Sequence, residues 1–406
     1  MYAYEITDAI AIDLERIELL RDRFDNRGML PRRWAGRLRR DLEAESVAAS
    51  TIMEGVRVTV EEVRRLLAGD TPATVDERDA SLVLGYRDAM SYVLRRADEP
   101  SFLWQTELVK AIHDRVLGGA YDLGAGRFRA GAVYISDGVT AEPVYTPPSA
   151  DAVPGLVDDL TAYLQAADGV PAPVVAALAH VGVAGIHPFK DGNGRTARVV
   201  AALAMYRGGY RAPEFTSLEE WWGSHRGDYY RAFDCLGREW AEAADVTPFV
   251  AVHVGAQRTQ AEALSLRLAT QREIWAAVED CVEQLGFELR AANALWEAFF
   301  GRSVTNRYYR GLTEVSQGTA AGDLARLVAA GLLAARGAGR DRTYVASGGL
   351  HGAIARAAGL HDVAALGNTP EQMRDNIVVT IAQRLAIEDE FVAREVAERY
   401  RSSAGG

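Results

Sequence analysis

The sequence predicts a mainly α-helical protein: a helical domain interrupted by one small β-hairpin, then a compact module of short helices and a glycine-containing ribbon, then a C-terminal helix. Three observations lead there. Apolar residues recur at helical spacing over most of the chain, β-branched and aromatic residues gather on both sides of Asp137 and Gly138, and a second ribbon pattern appears only beyond residue 330. The 406 residues, 49% hydrophobic and 25% charged, exceed the usual size of one core. Two or three packed units are expected.

Residues 1 to 70 alternate apolar and charged positions at helical spacing, as in IDLERIELLRDRF and RLRRDLEAESVAASTIMEG. Thr59 and Glu62 have the spacing of a capping box ahead of VRRLL. Two further helices are expected between Ala80 and Gly118, broken at Glu99 and Pro100. GRFRAGAVYISDGVTAEPVYTPP, at 126 to 148, reads as a hairpin turning at Asp137 and Gly138 and stopped by Pro147 and Pro148. Helical periodicity returns over Val153 to Ala166, Pro173 to Gly185 and Thr196 to Tyr206. A boundary is expected near 270 to 300, giving N-terminal helices (1–75), a helical domain (76–270), the ribbon-bearing module (271–350) and a helical extension (351–406).

A net charge of −11 argues against a protein whose whole surface grips a nucleic-acid backbone; any DNA contact must be regional. Cys235 and Cys281 lie far apart without metal spacing, fit a reducing compartment and read as core residues. Acidic residues at 5, 8, 13 and 15 leave no signal-type apolar stretch, and no later run reaches the ~18 apolar residues of a membrane span. A cytoplasmic protein without membrane partners is expected.

The chemistry concentrates in HPFKDGNGRTAR, His187 to Arg198. Gly192 and Gly194 bracket Asn193 just before a helical run, so the backbone can approach a ligand and present N–H groups at a helix N-terminus. Arg195 and Arg198, three apart, can meet further phosphate oxygens with planar forks. At a helix N-terminus they oppose the macrodipole unless an anion is bound. Asp191 supplies a hard oxygen suited to Mg²⁺ carrying substrate phosphates, and His187 a base that titrates near neutrality. Together these parts specify phosphate chemistry assisted by a protein base.

HPFKDGNGRTAR resembles the HxFx(D/E)GNGRxxR signature of Fic-domain proteins at every fixed position, within a resemblance covering about residues 40 to 255. That resemblance implies a Fic-type helical fold and a protein adenylyltransferase, moving AMP from ATP to a Ser, Thr or Tyr hydroxyl and releasing pyrophosphate. It implies that His187 deprotonates the hydroxyl, that Asp191 binds Mg²⁺ and that the amides of Gly192 to Gly194 hold phosphate. Asn193 would orient the α-phosphate, Arg195 would contact the β-phosphate region and Arg198 the γ-phosphate, with Thr196 in the same nucleotide-binding turn. Gly194 stands where relatives that transfer a terminal phosphate carry lysine, which favours AMP transfer. Phe189 reads as a core anchor and Lys190 as solvated.

STIMEG, Ser50 to Gly55, resembles the (S/T)xxxE(G/N) inhibitory motif of the same family, and implies that Glu54 pairs with Arg198 and blocks productive ATP binding. The hairpin at 132 to 146 corresponds to the family's flap, where an extended protein target would pair by main-chain hydrogen bonds. Tyr229 and Tyr230 are candidates for the nucleotide side, whereas His180 reads as a hydrogen-bonded core residue. Self-modification and a homodimer are compatible with the family.

Residues 301–345 hold seven arginines against three acids and resemble a winged helix-turn-helix, with Arg326 on the second helix and Arg336, Arg340 and Arg342 on the wing. Such modules meet DNA or proteins, and protein interaction or packing within the chain is favoured over DNA binding. Three alternatives stand beside adenylyl transfer: a DNA-binding regulator using the Fic domain as a sensor, removal of AMP, and transfer of another nucleotide.

Overall fold

The computed structural model describes residues 2–26, 32–136, 142–211, 218–339 and 342–403. The chain divides into two compact units, Met1–Glu262 and Ala263–Gly406.

The first unit is helical apart from one short ribbon. It contains α1 (Asp8–Asn26), α2 (Arg32–Met53), α3 (Val60–Leu67), α4 (Glu77–Ala97) and α5 (Thr106–Val116). The two-stranded antiparallel ribbon follows, β1 (Ile135–Ser136) with β2 (Pro143–Tyr145). Then come α6 (Val153–Gln165), α7 (Ala172–Ile186), α8 (Asn193–Arg207), α9 (Leu218–Ser224), α10 (Arg226–Arg231) and the first part of α11 (Thr247–Gln284). The expected capping box is present: Thr59 accepts from the Glu62 amide while the Glu62 carboxylate accepts from the Thr59 amide.

α7 and α8 form the centre of this unit. Each is apolar nearly all round, with Val174, Ala177, Val181, Val199, Val200 and Leu203 all buried, the pattern of a helix surrounded by protein. α4 and α5 pack on α8, and α6 packs on α7. Gly182 lets the Leu160 side chain approach: a Cβ there would stand 2.7 Å from Leu160 Cδ1. The turn joining two such helices is therefore held rigidly from behind.

α8 begins at Asn193, three residues before the periodicity suggested, because Gly192 adopts a left-handed conformation (φ 74°) and the chain enters the helix directly after it. The glycine-rich segment is itself the helix start. Cys235 is half-buried against the apolar core, whereas Cys281 is buried; the first therefore departs from the core position expected. The expected hairpin turn at Asp137 and Gly138 lies outside the described residues, as does Arg340.

The second unit contains α12 (Ala292–Phe299), β3 (Val304–Thr305), α13 (Asn306–Thr313), α14 (Gln317–Ala329), β4 (Leu333–Arg336), β5 (Thr343–Ala346), α15 (Gly348–Ala357) and α16 (Pro370–Ser403). Its sheet has the order β3-β5-β4, all antiparallel, with Leu333 opposite Ala346 and Arg336 opposite Thr343. Thr305, Ser316 and Ser347 cap α13, α14 and α15 by accepting from main-chain amides. Leu324 and Leu327 of α14 are buried, while Thr319, Ala321, Gly322 and Ala325 face solvent. Arg326 donates to the Gly286 carbonyl at 3.3 Å and lies over the Phe287 ring. Among the described residues of the whole chain, no helix is long and apolar enough to cross a membrane.

Candidate active site

His187 ends α7 in a left-handed conformation (φ 51°), which costs a non-glycine residue roughly 1–2 kcal/mol. Neighbouring groups hold it there. Its amide donates to the Val183 carbonyl at 3.0 Å, and its carbonyl accepts from Arg129 Nε at 2.8 Å. The imidazole Nδ1 lies 3.3 Å from the Ala184 carbonyl. Because a carbonyl only accepts, that nitrogen carries the hydrogen and Nε2 keeps its lone pair. Burial pushes the imidazole pKa down to about 4, so the ring is neutral at pH 7 and able to take a proton.

The following loop is closed by its own side chains. Phe189 is fully buried and stacks on the His113 ring, with centroids 3.6 Å apart and planes 3° apart. Asn193 accepts from the Phe189 amide and donates to the Phe189 carbonyl, both at 2.9 Å. Both ends of its carboxamide thus staple the loop, which leaves its main-chain N–H to face a ligand. His113 Nε2 donates to the Asp191 carbonyl at 2.9 Å, while Nδ1 accepts from the Gly126 amide at 3.0 Å. Lys190 is exposed.

At the start of α8 no side chain caps the free amides, so this end can take an anion. Thr196 is buried and its hydroxyl donates back to the Gly192 carbonyl at 2.8 Å. Arg195 is 2% exposed, and its Nε and Nη1 have no partner; Nη2 lies 3.6 Å from Asp191 Oδ1. Burial lowers its pKa. A buried guanidinium with unpartnered donors is costly unless a ligand supplies acceptors. The Asp191 carboxylate accepts from the Gly192 amide at 2.6 Å and is about half exposed, at 45%. Among the described residues no group of three or more His, Cys, Asp or Glu is arranged around a metal. A lone carboxylate suits Mg²⁺ that arrives on phosphate oxygens and keeps most of its waters.

Arg198 is fully engaged. Its Nε donates to Ser50 Oγ at 2.9 Å and Nη2 to the Ser50 carbonyl at 3.1 Å and Glu54 Oε1 at 2.9 Å. Nη1 donates to the Tyr229 hydroxyl at 3.2 Å. Gly194 is pressed against the same carboxylate: a Cβ there would stand 2.5 Å from Glu54 Oε1. Tyr229 is buried and its hydroxyl lies 3.1 Å from His180 Nε2, whereas Tyr230 is 56% exposed. The two tyrosines therefore divide, one behind Arg198 and one facing solvent.

Two residues escaped the sequence reading. His113 sits at an ordinary buried position of an amphipathic helix, and Arg129 in a stretch whose only signal was its β-character. Neither has a motif of its own.

Residues 104–205 match the Fic/DOC family. The chain carries a Fic/DOC family domain. The protein adenylyltransferase Fic of Nematostella vectensis is 29% identical over 244 residues, which is 58% of this chain and 52% of that protein. That of Culex quinquefasciatus is 30% identical over 247 residues, 59% of this chain and 45% of that protein. The chain thus spans about half the length of these curated relatives. A Fic family protein from Desulfovibrio desulfuricans shares the fold with a TM-score of 0.58 at 23% identity, covering 86% of this chain and 98% of that one. In this Fic domain the matched region holds His113, Arg129 and the whole of His187 to Arg198.

Proposed function

We propose that this protein is an adenylyltransferase that moves AMP from ATP onto a Ser, Thr or Tyr hydroxyl of a protein and releases pyrophosphate. The observation that carries the reading is the neutral His187 beside the unpartnered, buried Arg195 donors and the uncapped start of α8. His187 Nε2 takes the proton of the acceptor hydroxyl, whose oxygen attacks the α-phosphorus; the bond to the β-phosphate oxygen breaks and pyrophosphate leaves. The amides of Asn193 and Gly194 and the Arg195 guanidinium hold the phosphates as charge develops, while the Gly192 amide donates to Asp191 Oδ1. Mg²⁺ carried on those phosphates, with Asp191 as its protein ligand, would neutralise charge. Gly194 brings no side chain into the space that Glu54 and Arg198 occupy, where a Cβ would already stand 2.5 Å from Glu54 Oε1.

Glu54 restrains this reaction, because the guanidinium that would meet the γ-phosphate already donates to Glu54 and Ser50. Tyr229 keeps Arg198 in place from behind, and Tyr230 offers an exposed ring on that side. The exposed Tyr134 and Val144 at the β1–β2 ribbon suit an extended protein target.

For the second unit we favour a winged-helix-like protein dock over a DNA reader. Apart from Arg326, the exposed residues of α14 are uncharged and mostly small, and Arg326, though exposed, is turned onto Phe287 and Gly286; Arg336 and Arg342 stay exposed on the ribbon. The deciding experiment incubates Glu54→Gly and Glu54→Gly/His187→Ala proteins with labelled ATP and cell lysate, followed by mass spectrometry of labelled bands. AMP on protein hydroxyls with the first and none with the second is expected. No transfer by the first would overturn the reading.

A further inference from the structure

Arg129 is 6% exposed, yet among the described residues its side chain makes three hydrogen bonds, each to a main-chain carbonyl and none to a carboxylate. Nε donates to His187 at 2.8 Å, Nη1 to Gly131 at 3.0 Å and Nη2 to Pro148. Its own amide donates to the Pro188 carbonyl at 3.0 Å. A cation buried among neutral carbonyls forgoes the stabilisation of an ion pair. What it gains is geometry: the guanidinium is a rigid planar fork, and three separate chain segments are registered on it.

Those segments are informative. Gly131 precedes β1 and Pro148 follows β2, so the two contacts grip both feet of the ribbon. The third fixes the carbonyl of a residue whose backbone is left-handed, and with the Pro188 contact it sets the direction of the peptide plane that carries the His187 side chain. We propose that Arg129 is a positioning residue that locks His187 in its left-handed conformation and holds the ribbon in register with it. The hydroxyl presented at the ribbon and the base that receives its proton then share one frame. This rests on His187 acting as the base. Lysine cannot substitute, since its donors radiate from one nitrogen and cannot span three separated carbonyls.

The test uses the full chain in the Glu54→Gly background, comparing Arg129→Met and Arg129→Lys for AMP incorporation into the protein itself and for Mg·ATP affinity by calorimetry. Both variants are expected to lose turnover by about 10- to 100-fold at saturating Mg·ATP, the scale of a misplaced reacting group, with affinity changed less than about 2-fold. Unchanged turnover, full rescue by lysine, or an equal loss of affinity would each overturn the proposal. A second readout needs no activity: histidine-labelled protein followed by NMR. In Arg129→Lys the His187 ring should lose its single Nδ1–H tautomer while His180 keeps its signals. Unaltered His187 signals defeat the assignment of Arg129. A Glu54→Gly parent without AMP transfer defeats only the adenylyltransferase reading.

Discussion

Arg198 Nη2 donates to Glu54 Oε1 across 2.9 Å, and the two side chains are only 2% and 24% exposed. An ion pair this shielded from solvent cannot be exchanged for water without cost, so a phosphate must displace the carboxylate to reach the same guanidinium.

Replacing Glu54 with glycine is therefore expected to raise AMP incorporation at least tenfold and to lower stability by about 1–3 kcal/mol through loss of a charged hydrogen bond. Labelled-ATP incorporation and urea denaturation measure the two effects. They should move in opposite directions, which simple damage to the site would not produce.

Gly194→Ala tests the same contact from the other side. The added Cβ would come within 2.5 Å of Glu54 Oε1. Glu54 must swing away, weakening its hold on Arg198. A double-mutant cycle with Glu54→Gly should show about 1 kcal/mol of coupling in stability, the range seen for residues in contact. Additive effects would show that the two residues do not meet.

His187→Ala, made in the Glu54→Gly background, is expected to lose about 10²- to 10⁴-fold in transfer, the usual share of a general base. Mg·ATP affinity should change little, since in the proposed reaction the imidazole meets the acceptor hydroxyl and not the nucleotide.

Arg195 holds buried donors without acceptors. In the absence of nucleotide, Arg195→Met is expected to leave the melting temperature unchanged or raise it, because methionine removes an unsatisfied charge of similar length. The stabilisation that Mg·ATP confers on the parent should disappear. A variant that melts lower without ligand and still gains stability from Mg·ATP would show that Arg195 is structural.

The buried imidazoles set a pH dependence of stability. Burial pushes His113 down to about 4 and His253 to about 3. The unfolded chain binds these protons from the ordinary histidine range downward while the native state does not, so stability falls as pH drops below about 6.5 and levels off below the native values. At pH 5 each of the two costs roughly 2 kcal/mol relative to pH 7. Urea unfolding at pH 7 and pH 5 should register the loss, and His253→Phe should reduce it.

The sequence by itself determined the parts whose physics is local. The turn between α7 and α8 keeps its base, glycines and arginines within twelve consecutive positions, His187 to Arg198, so periodicity and glycine chemistry sufficed to locate it. The capping box at Thr59 and Glu62, the helix order and the β4–β5 ribbon follow from the same short-range rules. The Ser50 and Glu54 pair was legible through a resemblance, since no local rule relates it to Arg198, 144 positions later. Tertiary structure alone decided that Arg195 is buried with its Nε and Nη1 unpartnered, that Asn193 commits its side chain to Phe189, and that Tyr229 and Tyr230 part company. It alone brought Arg129 to His187 across 58 positions and His113 to Asp191 across 78. The reason is physical: these contacts end on main-chain carbonyls, which every residue possesses, so no residue type at the far end records the pairing in the sequence.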